Sequence, residues 1–423
     1  MHPIINIYNQ INKTILHIRK GGWSVLIYTL IKVPYRLALI IVDFLALPIS
    51  IPIIILIRII KPIYHIRFGY FYGGRIGHFV FDTAMAAIIK RNNSEGAYLF
   101  YFLPNISNLH WAKMVKRELN VFYWVRLLDF ANSFIPGGED HSIIPGLNQA
   151  YTSRDINGLI YHSDFSFTFT NNETESVKKW LHTKGWKEGE KIVCFHVRDN
   201  EYLPTKNWSY HDFRNSDVKT FIPAMELLAN KGYWVIRMGK TMKEPIKTSH
   251  TKIIDFAFDK NRNDLIDIWL CANCELMIST GSGPDAISDV YRRPILHLNY
   301  LPSTELHSWS NATCYPKKLY WKDSGLLLSF EEYCQNSFFY SERYEYFGIN
   351  IVDLSPEEIT NSVLEKIEII EGKYIQSMEH EQLQNNFWDT ALKNKKFSDI
   401  NKFIHPNAGM SISFLKSNPN WLN

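Results

Sequence analysis

A short glycine loop carries the residue types that bind an anion. Gly281-Ser282-Gly283 follows the apolar run ELMIST and precedes the helical pattern AISDVYRR. Glycine lets the backbone approach a phosphate closely, and N–H groups at the start of a helix favour negative charge. The carboxylate of Asp285, two residues after this loop, or of Asp289 can bind a ribose or sugar hydroxyl or can support the helix start.

Two arginines stand where strand patterns end. Arg198 follows the apolar run KIVCFHV and shares one strand face with His196, because alternate residues of a strand point the same way. A guanidinium there can hold a diphosphate through two hydrogen bonds. Arg237 and Gly239 repeat the order of cation and glycine at the end of the next strand pattern, YWVIRM. The alternative for Arg198 is a structural ion pair with Asp199 or Asp217.

A histidine and a carboxylate offer a general base. His78 and Asp82 are one turn apart in the helical pattern that follows Gly73-Gly74-Arg75. A histidine with a near-neutral pKa beside a carboxylate can take a proton from a hydroxyl. The alternative is that His78 only fills the helix start. Glu139-Asp140-His141, in a loop rich in glycine and proline, is a rival base.

Strand and helix patterns alternate after the first 62 residues, and the strands are continuously apolar. Such alternation predicts parallel, doubly wound sheets, whose ligands bind beyond the carboxyl ends of the strands. We predict an α/β protein with two Rossmann-like lobes. Its parts are a membrane-associated helical region over 1–62, a first lobe over 63–180, a second lobe over 181–345, and C-terminal helices and a tail over 346–423 that pack back on the lobes.

Composition excludes several classes of protein. A chain of 423 residues with 46% hydrophobic residues can bury large cores, which excludes wholesale disorder and a small disulfide or zinc scaffold. The net charge of +4 is too small to indicate a nucleic-acid binder. Five cysteines, mostly in apolar contexts, indicate reduced thiols, and Cys271 and Cys274 lack the second pair that a zinc site needs.

The run from Leu37 to Ile57 is apolar over a membrane-spanning length but contains Pro48 and Pro52. Two prolines predict a kink, and each half of a kinked helix is too short to cross ~30 Å of hydrocarbon. We therefore predict a re-entrant or interfacial helical hairpin with both ends in the cytosol. A buried helix pair and a single membrane span are the alternatives.

Several stretches resemble a bacterial glycosyltransferase family associated with surface-polysaccharide loci: CFHVRD, RNSDVKTFIPAMELLANKGYWVIRMG and ISTGSGPDAISDVYRRPILHLNY. The resemblance extends back through RIGH at His78 and on to the tail GMSISFL. It implies the GT-B architecture and a nucleotide-sugar donor. The His-x-Arg of CFHVRD is also similar to the donor-phosphate motif of O-fucosyltransferases. Ser-Gly-Pro is similar to the heptosyltransferase donor loop, from which Gly281 and Asp285 depart.

The resemblance implies glycosyl transfer from a nucleotide sugar to a glycan or lipid-linked acceptor in surface-polysaccharide biosynthesis, on the cytoplasmic face of the inner membrane. We expect an inverting reaction with no metal and no cofactor, and no nucleic-acid partner. The alternatives are a nucleotide-sugar 2-epimerase and a non-catalytic, membrane-tethered assembly protein. The predicted catalytic residues are His78 and Asp82, and the predicted donor-binding residues are His196, Arg198, Arg237, Gly239, Gly281, Ser282, Gly283 and Asp285.

Overall fold

A computed structural model describes residues 34–35, 37–93, 96–143, 154–201, 209–335 and 340–422. These residues form two compact units, the first within Met1–Thr152 and the second within Ser153–Tyr202 and Trp208–Asn423. Each unit contains its own parallel β-sheet with helices packed on it. The prediction of an α/β protein with two lobes is therefore confirmed.

The first unit has a sheet with the strand order β3-β2-β1-β4, in which every neighbouring pair is parallel. β1 is an inner strand of this sheet, and the loop that follows it lies at the carboxyl edge of the sheet. The elements of the described residues, in chain order, are α1 (Leu37–Ile60), β1 (Ile66–Phe71), α2 (Ile76–Asn92), β2 (Ala97–Phe102), α3 (Leu109–Glu118), β3 (Asn120–Val121), α4 (Val125–Asn132) and β4 (Ser142–Ile143).

Helix α1 runs without a break through both prolines, so the predicted kinked hairpin is wrong. A proline removes only one backbone N–H donor, and Pro48 and Pro52 are one turn apart, so both defects lie on one side of the helix. The remaining hydrogen bonds keep the helix continuous. At 24 residues α1 is about 36 Å long, and among the described residues it is the one helix apolar and long enough to cross a membrane.

One face of α1 packs on the first unit. Ile54 and Ile57 are buried in an apolar cluster with Phe68 of β1 and Leu128 of α4. The opposite face is exposed and apolar, and its most exposed members over residues 37–60 are Leu45, Ile49 and Ile59, each about 70% exposed. The stretch Trp23–Ile31, which the sequence also marks as apolar, lies outside the described residues.

The second unit contains the larger sheet. Its elements among the described residues are α5 (Asn171–Thr183), β5 (Ile192–His196), α6 (Ile222–Asn230), β6 (Trp234–Arg237), β7 (Ile253–Asp255), α7 (Asp264–Asn273), β8 (Leu276–Ser279), α8 (Asp285–Val290), β9 (Ile295–Tyr300), β10 (Ala312–Pro316), β11 (Lys318–Trp321), α9 (Phe330–Gln335), α10 (Ser341–Tyr346), β12 (Ile349–Val352), α11 (Pro356–Ile370), α12 (Met378–Lys393), α13 (Lys395–Ile400), β13 (Gly409–Met410) and α14 (Ile412–Ser417). Helix α5 packs on α7, and the lobe boundary that the sequence predicted near residue 180 falls inside α5.

Seven parallel strands form this sheet in the order β7-β6-β5-β8-β9-β10-β13. Numbered along the chain, the first six strands follow the 3-2-1-4-5-6 order of doubly wound nucleotide-binding sheets. Residues of α6 and α11 cover the face that bears Phe195. The other face lies against α7, where the Cys194 thiol donates to the Leu270 carbonyl. The strand order therefore reverses between β5 and β8, in the middle of a sheet covered on both faces.

Candidate functional site

The candidate site lies where the strand order of the second sheet reverses. In an open parallel sheet, the connections from β5 and β8 leave in opposite directions, and a crevice forms outside their carboxyl ends. β5 ends at His196, and β8 ends at Ser279. The two predicted anion-binding segments begin directly after these residues, so the fold brings together the segments that the sequence singled out.

Hydrogen bonds tie the two segments to each other. The Arg198 N–H donates to the Thr280 hydroxyl at 3.0 Å, and the Thr280 N–H donates to the His196 carbonyl at 3.2 Å. The Arg198 carbonyl accepts from the Ser216 N–H at 3.0 Å. Arg198 is half-buried, and the backbone that carries its guanidinium is held beside the glycine loop. The nearby aspartate, Asp199, accepts hydrogen bonds from the backbone of Glu201 and Lys243.

Gly281 is the residue of the loop whose position requires glycine. Its φ is +80°, and a Cβ would lie 2.7 Å from the ring of Tyr300. L-residues with side chains rarely adopt this conformation. The Arg214 guanidinium donates to the Gly281 carbonyl, which places a second arginine at the loop.

Two of the three loop amides are already engaged inside the protein. The Gly281 N–H donates to the Ser279 hydroxyl at 3.1 Å, and the Ser282 N–H donates to Asp285 Oδ2 at 2.6 Å. The Gly283 amide makes no hydrogen bond to a described residue. The sequence predicted that several loop amides would face an anion, but in this conformation only the Gly283 amide can do so. Side chains must therefore supply most of the positive charge.

Asp285 supports the loop from inside the protein. It is fully buried, and burial raises the pKa of its carboxyl to about 6 although hydrogen bonds from Ser279 and Ser282 oppose the shift. Such a carboxylate holds the loop conformation, which favours the supporting role over direct contact with a sugar. The prediction that Asp285 binds the donor stays untested.

His196 is a buried, neutral histidine. Burial and the nearby Arg237 and Arg198 lower its pKa to about 4, and its Nδ1 has no hydrogen-bond partner among the described residues. Its register partner in β8 is Ser279, whose own partner in β9 is His297. Register partners share a face, so these three polar side chains form a row on the α7 side of the sheet.

Arg237 is committed to an ion pair. Its side chain is 1% exposed, and Nη1 lies 3.2 Å from both carboxylate oxygens of Asp255 and donates to the Glu244 carbonyl at 3.0 Å. Its register partner is Phe195, so Arg237 lies on the face opposite His196. Gly239 is buried, and a Cβ there would lie 2.5 Å from the Met242 side chain. These contacts favour a structural role for both residues.

The predicted general base lies in the first unit. His78 is half-buried in the first turn of α2, with its ring 6.3 Å from that of Tyr72. Asp82 is 4% exposed, so it lies inside the unit. In the rival loop, the His141 ring bonds to the Ile66 carbonyl at 2.7 Å, and Asp140 pairs with Lys61 at 2.6 Å.

The sequence did not point to three residues that lie near the glycine loop. Arg214 belongs to a 3₁₀ turn, Ser209–Arg214, that comes after β5 in the chain. His297 lies in the middle of the apolar strand β9, and His307 lies beyond the end of that strand. The signal was present in part, since a histidine inside an apolar strand is unusual. Among the described residues, no three His, Cys, Asp or Glu side chains group as a metal site.

No family model and no curated protein sequence matches this chain. Solved structures that it resembles include a glycosyl transferase of family 9 from Veillonella parvula, at 9% identity and a TM-score of 0.34, covering 60% of this chain and 86% of that one. The ADP-heptose lipopolysaccharide heptosyltransferase II of E. coli matches at 10% identity and a TM-score of 0.36, covering 59% and 90%. A Listeria monocytogenes protein assigned as a UDP-N-acetylglucosamine 2-epimerase matches at 6% identity and a TM-score of 0.27, covering 55% and 79%. Such weak similarity does not decide a substrate, so the activity has to be argued from the residues of this chain.

Proposed function

We propose that this protein transfers a glycosyl group from a nucleotide-sugar donor to a hydroxyl of a glycan or lipid-linked acceptor. The observation that carries the proposal is the position of Arg198 at the reversal of strand order, bonded to Thr280 beside the glycine loop. Ligands of open α/β sheets bind in the crevice at this point. A cation next to a loop with little side-chain bulk suits a diphosphate.

The reaction proposed is a direct displacement at the anomeric carbon. The acceptor oxygen bonds to that carbon, the bond from carbon to the diphosphate oxygen breaks, and the electron pair leaves with the phosphate. The hydroxyl proton passes to a general base. One displacement inverts the configuration. Arg198 stabilises the charge that grows on the diphosphate, which is the task that a metal ion performs in other transferases.

We further propose that the protein works at the cytoplasmic face of a bacterial inner membrane, on a surface polysaccharide. Support comes from α1. Its most apolar stretch has a mean hydropathy of 2.7, and 22% of that stretch is buried. Its one acidic residue, Asp43, faces the protein and pairs with Arg126 of α4. The exposed face thus presents only apolar side chains to lipid.

The test of the activity begins with donor binding. Calorimetry with UDP, GDP, ADP and CMP should show that at least one binds the full chain, and that Arg198→Ala weakens this binding about tenfold or more. Arg91→Ala is the matched control, because Arg91 lies in the first unit with its side chain 57% exposed. Equal affinity in the wild type and Arg198→Ala would overturn the proposed site.

A second assay separates the classes of reaction. The matching nucleotide sugar is incubated with the protein with and without membrane lipids that carry glycan acceptors. Transfer of sugar only when acceptor is present supports the proposal. Epimerisation of the sugar without any acceptor would instead identify an isomerase, and the absence of binding to all four nucleotides would identify a non-catalytic protein.

A further inference from the structure

A buried carboxylate lies next to a half-buried histidine in the second unit. Asp289 of α8 is 3% exposed, and neither of its carboxylate oxygens makes a hydrogen bond to a described residue. Its Oδ2 faces His307 Nδ1 at 3.4 Å. A buried carboxylate without a partner is costly, and a protonated histidine is the group that would relieve that cost.

His297 makes the second contact to the same nitrogen. Its Nε2 lies 3.2 Å from His307 Nδ1, and the two rings meet edge to face at 4.6 Å. Burial, together with His307 and Arg214, holds the pKa of His297 well below its usual range, so this ring is neutral. Its Nε2 can then accept a hydrogen bond. His307 Nδ1 thus faces two acceptors, which favours a proton on that nitrogen.

The other ring nitrogen of His307 remains open. Nε2 bonds to no described residue, and the side chain is 20% exposed. The ring stacks on Trp309 at 4.9 Å, which limits its rotation. Tyr300 lies between this ring and the loop: its ring centroid is 5.9 Å from that of His307, and it is also the ring that a Cβ at Gly281 would strike. The histidine is therefore adjacent to the glycine loop.

Charged and titratable groups lie around His307, Asp289 and His297. They are Asp285 of α8, Tyr300 of β9, Arg214 of the 3₁₀ turn and His405 of the C-terminal segment. Of the two α8 carboxylates, Asp289 lies within ion-pair distance of the His307 ring, at 3.4 Å.

We propose that His307, held by Asp289, is a second cationic contact for the leaving diphosphate and therefore a catalytic residue of the donor site. Its Nε2–H donates a hydrogen bond to a phosphate oxygen as the bond from the anomeric carbon to the diphosphate breaks. The electron pair stays on the phosphate, and the acceptor proton goes to a separate general base. This inference rests on the proposed function. It explains how the site binds an anion although two of the three loop amides already make hydrogen bonds inside the protein. Asp289 is then a positioning residue.

The experiment compares nucleotide binding in the wild type and His307→Gln at one pH. The affinity for the nucleoside diphosphate identified by calorimetry should fall about tenfold in His307→Gln, since the Nε2 contact to the phosphate is lost. Arg91→Ala remains the control, and its affinity should equal that of the wild type.

Turnover supplies the second measurement. His307→Gln should lower kcat about 100-fold. Asp289→Asn should weaken nucleotide binding in the wild type but add no further loss in the His307→Gln background, whereas a merely structural residue would add its own loss there. Equal affinity of the wild type and His307→Gln would overturn the role of His307, even if Arg198→Ala still weakens binding. Failure of every nucleotide to bind at any pH would instead overturn the proposed function itself.

Discussion

The Arg198 N–H and the Thr280 hydroxyl are joined by a 3.0 Å hydrogen bond across the reversal of strand order. Thr280 is fully buried, and its own N–H bonds back to the His196 carbonyl. These two hydrogen bonds therefore extend the contact between β5 and β8 beyond the carboxyl ends of the two strands. They also fix the distance between the candidate anion-binding arginine and the glycine loop.

Thr280→Val is expected to destabilise the protein by about 1–3 kcal/mol, because valine keeps the shape of threonine but leaves the Arg198 N–H without an acceptor. Urea unfolding measures this loss. Thr280→Ser retains the hydroxyl and is the matched control, with a smaller loss expected. Nucleotide affinity should fall in the valine variant and not in the serine variant; an unchanged affinity in both would mean that the bond does not position the arginine.

Asp285→Asn is expected to change how stability depends on pH. Because burial raises the pKa of Asp285 to about 6 from an ordinary 3.8, the folded protein binds a proton between these pH values that the unfolded chain does not. The contribution of Asp285 to stability therefore falls as pH rises from about 4 to about 6. The asparagine variant lacks this contribution.

The measurement for Asp285 is the difference in unfolding free energy between the wild type and Asp285→Asn at pH 4 and pH 6.5. The wild type should lose about 1–3 kcal/mol relative to the variant over this range. The comparison must be made as a difference, because His196, with its pKa lowered to about 4, contributes in the opposite direction in both proteins. A constant difference would contradict the prediction.

Arg237→Met is expected to cost about 3–5 kcal/mol of stability, because it leaves the Asp255 carboxylate without its counter-charge. The double variant Arg237→Met/Asp255→Asn should recover part of this loss, which a double-mutant cycle measures. At a temperature where the variant is folded, its nucleotide affinity should stay within about threefold of the wild type. Loss of affinity with normal stability would show instead that Arg237 binds the donor.

Leu45→Glu/Ile49→Glu is expected to reduce membrane binding at least tenfold. Both side chains are more than 70% exposed on the apolar face of α1, and a carboxylate there opposes insertion into lipid. Co-sedimentation with vesicles of phosphatidylethanolamine and phosphatidylglycerol measures the effect. Ile375→Glu/Met378→Glu is the control, since those side chains are at least as exposed but belong to the second unit. Equal binding of both variants would exclude α1 as the contact.

Local patterns were enough to predict the alternation of strands and helices in both units. The runs KIVCFHV and ELMIST form the central strands β5 and β8. These patterns depend on neighbours in the chain, which a sequence contains. The predicted hairpin is wrong because α1 continues through Pro48 and Pro52, with Ile54 and Ile57 packed against Leu128 of α4 and Phe68 of β1.

The sequence by itself determined that Arg198 and the glycine loop lie at the same edge of one parallel sheet, since both follow apolar strands at their carboxyl ends. Only the tertiary structure decided which polar groups are already occupied. Arg237 forms an ion pair with Asp255, and the Ser282 N–H donates a hydrogen bond to Asp285. His307 lies beside the Asp289 carboxylate. Hydrogen bonds and ion pairs act over about 3 Å between residues that are distant in the chain, so no local pattern records them.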